Sequence, residues 1–469
     1  MSRPTRFTRL AFDPLEDRCQ PSASNPTDLT PVGERLYFVA DDGVHGRELF
    51  VSDGTAAGTH LVRDIRPGLT SSDIRFPTPF GDRLLFTVDD GTNGFELWIS
   101  DGTPGGTHLV KDIYRGRDGS FPSGLAVIDG VVYFAANTRR EGRELWRTDG
   151  TAAGTRLVAN IMPGTVSSSP NGFTEVNGTI LFTADVTLRS GSGRNEQVTF
   201  LGRELWRTDD TAAGTALVKD INPGFDTSSP SGFTVVNDTL FFSARTPELG
   251  TEVWKSDGTT AGTVLVKDIN PSFRGSNPSG LREFNGQLFF NAVDDTGGIQ
   301  LWRSDGTAAG TVMASDFAPG FSGVIMADFV PIGGQVFFTG FSASGGFEQW
   351  RTDGTAAGTV FLKEIFSGEA LQGHPPPPFR VAAGGLFYFT ALDPAVGMEL
   401  FVSDGTPAGT QLVRDIFAGS RPFDPAPADL TAVGGRVFFT ADDGVHGREL
   451  WVSDGTAAGT MMVLDLFPA

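Results

Sequence analysis

Short apolar runs alternate along the chain with clusters of Gly, Asn, Asp and Pro. No stretch carries a helical period, so each run reads as a β-strand. Residues 233–269 show the pattern once in full. Phe233–Val236 predicts a first strand, a, and Asn237-Asp238 a tight turn. Thr239–Ala244, rich in Phe and Leu, predicts strand b, and Glu252–Ser256 predicts strand c after a Gly-containing loop. A D-G-T-x-x-G turn then leads into strand d, Thr263–Ile269, and a Pro-, Ser- and Gly-rich crossing reaches the next copy.

The unit occurs nine times. Its turn Asp falls at Asp53, Asp101, Asp149, Asp209, Asp257, Asp305, Asp353, Asp404 and Asp454, most often 48 residues apart. All seven Trp occupy one position of strand c, where Phe50 and Phe401 stand in the other two copies. An aromatic reused this regularly predicts packing between units rather than sugar stacking. Four-stranded antiparallel units of about 48 residues have the size of propeller blades and exceed one turn of a β-solenoid. Residues 41–59 and 442–460 are identical except that Phe50 becomes Trp451. An open array needs atypical polar caps, whereas a ring makes its first and last units ordinary neighbours. The prediction is an all-β fold: one closed β-propeller of nine blades over 28–469, after a flexible N-terminal export or sorting arm, 1–27.

Charges suggest a register for strands c and d. With Asp53–Gly58 as the loop, Glu48 faces Arg63, and the same rule pairs Glu96 with Lys111, Glu204 with Lys219 and Glu252 with Lys267. Such exposed pairs, worth ~0.2–1 kcal/mol each, choose a register more than they stabilise it.

The net charge of −20 argues against a nucleic-acid surface, which needs clustered Lys and Arg. No apolar run approaches the ~20 residues of a membrane-spanning helix. The single Cys, Cys19, excludes a disulfide within the chain and a Cys-based zinc site.

The E-L-W-x-[ST]-D-G-T-x-x-G-T core, followed by L-V-[KR]-D-I, resembles the bacterial ELWxxDGT repeat family over about residues 28–469. That resemblance implies a propeller-like fold and no particular activity. The blade layout resembles, more loosely, the propeller of the Tol-system periplasmic protein, which implies that strand a is innermost and strand d outermost. Leu15-Glu16-Asp17-Arg18 resembles the L-E-x-R motif at the N-termini of planctomycete extracellular proteins, and implies export or surface display.

Candidate chemistry is sparse. The turn Asp recurs in every copy, as a structural residue would, accepting hydrogen bonds from nearby backbone N–H groups. Copy four departs, with Asp210 in place of the turn Gly. Asp41-Asp42 and Asp442-Asp443 are oxygen-rich candidates for Ca²⁺, but they match no EF-hand spacing, so solvated turns and no cofactor are expected. The five His are scattered, and neither H-E-x-x-H nor G-x-S-x-G occurs.

In an a-b-c-d blade the b–c loops and d–a crossings share one face, and that face carries nearly all the variation between copies. Its largest feature is an insertion in copy four, roughly Thr187–Leu201, with Arg189, Arg194, Asn195 and Glu196 as candidate binding residues. The functional expectation is a non-enzymatic, exported or cell-surface scaffold that binds protein or polysaccharide. The alternative is a hydrolase or lyase whose polar groups converge at the channel mouth on the b–c/d–a face.

Overall fold

The computed structural model describes residues 23–468 apart from 191–196, 225, 296–297, 315–322, 342–346, 354, 356, 367–378, 394 and 419–425. Blade one shows the plan: strand a is Thr27–Val32, b is Arg35–Asp41, c is Arg47–Ser52 and d is His60–Arg63. Nine such sheets follow one another, each four-stranded, antiparallel and ordered a-b-c-d. Strand a of every blade packs on strand a of the next, and the series closes where Thr27–Val32 meets Ala428–Val433 of blade nine. The protein is a nine-bladed β-propeller with strand a lining the channel.

Apolar side chains fill the seams between blades. Phe86 and Trp98 of blade two pack with Tyr37, Val39 and Val51 of blade one. The closing seam is built alike, from Leu36, Phe38 and Phe50 of blade one against Phe438, Leu450 and Val452 of blade nine. Trp98 is only 6% exposed. Trp98→Ala should therefore cost ~3–5 kcal/mol, because the seam cannot collapse around a void of that size. An unchanged urea midpoint for that variant would remove the strand-c aromatics from the stability argument.

The D-G-T-x-x-G turn consumes its own acid. Asp53 Oδ1 accepts from the Thr55 amide at 2.9 Å and the Thr55 hydroxyl at 2.7 Å. Thr55 Oγ1 in turn accepts from the Gly58 amide at 3.0 Å. These donors hold Asp53 below the usual carboxylate range. A Cβ on Gly58 would collide with the Asp53 carboxylate, so only glycine closes the turn. At Asp210 the backbone keeps the left-handed φ of the missing glycine, 72°. Its carboxylate pairs with Arg147, and with Arg156 at 3.0 Å, both from blade three. The departure in copy four thus ties two blades together.

The predicted Glu–Lys and Glu–Arg pairs do not form. Phe50 faces Leu61 as expected, but a bulge between Leu49 and Phe50 sets Arg63 opposite Leu49. One extra residue on the bulged side is enough to undo a period-2 register. Glu48, freed from strand d, is fully buried and accepts from the Ser72 hydroxyl at 2.6 Å and the Ile65 amide at 3.2 Å. Arg63 crosses to the next blade, where it lies over Trp98 and donates to the Thr107 carbonyl. Lys219 and Lys267 make the same crossing, to the Thr263 and Thr311 carbonyls at 2.7 Å.

Buried Glu48 is thus a staple to the Ser that precedes strand a of the following blade, an arrangement that Glu399, bonded to the Ile416 and Phe417 amides, does not share. Glu144–Ser168, Glu204–Ser228 and Glu252–Ser276 repeat it at 2.5–2.6 Å. Ser24 completes the set. Its hydroxyl donates to Glu449 of blade nine at 2.6 Å, so the ring is closed by the same bond that links blades one to six. That Ser lies within the segment assigned to the N-terminal arm, and β-structure begins at Thr27.

Candidate site at the channel mouth

The inner strands begin on the face that carries the b–c loops. In blades one to six and nine the ladder with strand b is interrupted by a bulge after the first residue of strand a, as between Thr27 and Thr30. The second residue takes positive φ: 67° at Gly124, 71° at Gly172 and 70° at Gly232. This geometry turns the first residues, Ser123, Asn171 and Ser231, toward the channel mouth, where they line one pocket.

Strand c supplies the charge. The residue immediately before the staple Glu is Arg in four blades: Arg47, Arg143, Arg203 and Arg448. Each reaches back across its blade toward the start of strand a. Arg143 donates to the Phe121 carbonyl at 2.7 Å and to the Ser123 hydroxyl. Arg203 donates to Thr183 Oγ1 at 3.2 Å and to the Ser169 carbonyl at 3.0 Å, and pairs with Asp185 at 3.1 Å. Burial lowers the Arg143 guanidinium from its usual value and raises the Asp185 carboxyl from its own.

Arg143 and Arg203 share a cavity of about 510 Å³ across blades three to five, with Ser123, Asn171, Thr183 and Ser231 among its lining. Asp185 balances the charge of Arg203, whereas Arg143 donates to a carbonyl and a hydroxyl and has no ion pair among the described residues, so it is the guanidinium available to an anion. Planar guanidinium forks match carboxylate geometry, and partial desolvation strengthens that attraction.

A scan against protein-family models matches none of them, and a search of curated proteins likewise finds no match. Among solved structures, the chain is similar to a puromycin hydrolase, with 14% identity, a TM-score of 0.42, and coverage of 90% of this chain and 58% of that one. It is similar to a puromycin-hydrolysing peptidase of Mycobacterium tuberculosis at 13% identity and a TM-score of 0.39, covering 82% of this chain and 59% of that one. A structure from a study of two prolyl endopeptidases matches at 12% identity and a TM-score of 0.42, over 81% of this chain and 54% of the other. The chain thus spans 54–59% of these enzymes' chains, and the likeness is one of fold.

The expectation of a non-enzymatic scaffold is corrected at this point. The similar solved structures are named as hydrolases and peptidases, on the side of the alternative reading.

Asp41, Asp42, Asp442 and Asp443 are not among the residues that line the pocket. The insertion of copy four continues strands b and c into a long hairpin, Thr179–Ser190 with Gln197–Thr208, rather than a loop. Arg189 pairs with Val198 along this ladder. Arg194, Asn195 and Glu196 lie outside the described residues, as do His374 and the N-terminal motif with Cys19.

The paired acids are occupied within their own loops. Asp41 Oδ1 accepts from the Gly43 amide at 2.8 Å; Asp42 binds the Val44 and His45 amides and the His45 ring, the last at 2.7 Å. Asp442 and Asp443 repeat these bonds with Gly444, Val445 and His446. Although burial opposes its charge, the His45 ring and these amides hold Asp42 below the usual carboxylate range. Among the described residues no group of three or more His, Cys, Asp or Glu side chains is placed to hold a metal ion.

Arg143 and Arg203 were legible only as a variation inside a fixed motif. Four copies carry Arg before E-L-[WF], while Phe95 and Thr251 stand at that place in blades two and five. Nothing in one dimension says that this residue faces the channel mouth.

Proposed function

We propose that the protein is an exported hydrolase of the ELWxxDGT repeat type, and that it selects its substrate at the channel mouth of blades three to five. The observation that carries this reading is the cavity shared by Arg143 and Arg203, where Arg203 is balanced by Asp185 and the partly desolvated Arg143 supplies the positive charge. The substrate that suits it carries a carboxylate close to the bond that is cleaved. The Arg143 guanidinium binds that carboxylate and orients the chain.

The test is turnover by the purified full chain on a panel of peptides with free or amidated C-termini. Turnover should favour the free acids. Arg143→Gln and Arg203→Gln should each raise KM for them about tenfold, which is ~1.4 kcal/mol of binding, with the melting temperature within a few degrees. No turnover of any peptide, acid or amide, would overturn the hydrolase reading.

A further inference from the structure

Blade two breaks the pattern of the channel mouth. The second residue of strand a, at positive φ, is Gly124, Gly172, Gly232 and Gly280 in blades three to six, and Asp28 and Asp429 in blades one and nine. In blade two it is Phe76, at φ 53°. Aromatic residues rarely adopt that conformation, and here the ring is 50% exposed, so core packing gives no reason for it. The residue before the crossing Pro repeats the anomaly. It is Asn25, Ser169, Ser229 and Asn277 elsewhere, but Phe121 at the start of blade three, with φ 50° and 42% exposure. Two strained positions that other blades fill with glycine or small polar residues hold solvent-facing rings, and strain of this kind collects at ligand sites.

These rings have a place to act. Phe76, Phe95 and Phe121 line a second cavity, of about 210 Å³, together with Arg75 and Arg143. Phe95 stands where four other blades have Arg; its ring centre is 5.2 Å from that of Phe121, and the Arg75 guanidinium lies 4.3 Å over it. An apolar cavity of ~150 Å³ holds benzene, so this cleft takes one six-membered ring. Ser123 and Arg143 belong to both cavities, which makes the aromatic cleft and the guanidinium pocket one continuous groove.

We infer that the groove of blades two to four binds a molecule in which an aromatic ring lies next to a carboxylate, such as a peptide end with an aromatic side chain. The ring enters between Phe76 and Phe121 and the carboxylate meets Arg143. The inference deepens the proposed function and rests on it only for the fate of the bound molecule; binding is measured separately from turnover.

The experiment is calorimetric titration of the full chain with N-acetylphenylalanine, its amide, and N-acetylglycine. N-acetylphenylalanine should bind at least about tenfold more tightly than either of the others. Phe76→Gly and Phe121→Ser install the residues that other blades carry, so both should fold as well as the parent or better. Both should reduce the affinity for N-acetylphenylalanine toward that for N-acetylglycine. Arg143→Gln should weaken both acids and leave the amide unchanged. Equal binding of the three probes, binding of none, or undiminished affinity in the Phe76→Gly, Phe121→Ser double variant would overturn the inference. Ring-dependent binding without turnover would sink the hydrolase reading alone, and turnover with ring-independent binding would sink this inference alone.

Discussion

A chain ending at Pro427 is expected to lose its cooperative thermal transition and aggregate, even though eight blades stay intact in sequence. Removing blade nine uncovers two seams. Blade eight loses the cover of Tyr388, Leu400 and Val402, and blade one that of Leu36, Phe38 and Phe50. The same cut takes away Glu449, leaving the buried Ser24 without its acceptor, and Arg436, whose guanidinium binds the Asp53 carbonyl at 2.7 Å. The uncovered apolar surface costs ~25 cal/mol per Å². Ser24→Ala measures the staple alone and should cost ~1–3 kcal/mol with cooperativity retained. A truncated protein that stays monomeric, with one sharp transition near the parent's, would mean that closure contributes nothing to stability.

The staple acids make stability depend on pH in an unusual direction. Burial raises Glu48, Glu96, Glu144, Glu204 and Glu399 from 4.5 to about 7, against the opposing pull of amide donors and, in all but Glu399, of a Ser hydroxyl. It raises Glu252 and Glu449 as well. Between pH 4.5 and 7 the folded protein therefore holds more protons than the unfolded chain. Their contribution is fully present below pH 4.5 and is lost as pH rises through 7. The turn Asp residues act in the opposite sense. Hydrogen bonds from Thr55 depress Asp53 below 3.8, so its stabilisation is lost only as pH falls through that lower value.

The melting temperature should accordingly be higher at pH 5.5 than at pH 8, by roughly 5 °C or more, with an acid limit below about pH 4. The net charge of −20 shifts stability in the same direction by self-repulsion, and one variant separates the two causes. Glu204→Gln keeps an acceptor for Ser228 and removes the titration, and Gln300 holds the corresponding place in blade six. That variant should show a shallower pH dependence than the parent, because its amide does not titrate. A melting temperature that rises between pH 5.5 and 8 would refute the account.

Nine strand quartets, the Trp in the seams and the self-contained D-G-T turn were all readable in one dimension, because local propensity and a fixed period specify them. Closure was readable as well, from the near-identity of residues 41–59 and 442–460. The role of Glu48 was not. Opposite charges at hairpin spacing suggested a partner in Arg63, yet a bulge at Leu49 moved that partner by one place. The insertion of copy four was misread for a related reason, since polar residues such as Arg189 suit a loop and a hairpin equally well.

What the sequence determined by itself was the repeat, the blade and the number of blades, all properties of contacts within one unit or between identical neighbours. Only the tertiary structure decided which side chains meet at the channel mouth. Arg143, Arg203, Phe76 and Phe121 come from three blades and from two different strands or the crossings before them. Their convergence depends on the ring bringing the starts of the inner strands together. A repeat period encodes each blade's contents, but the groove exists only in the differences between blades, once the ring has set them side by side.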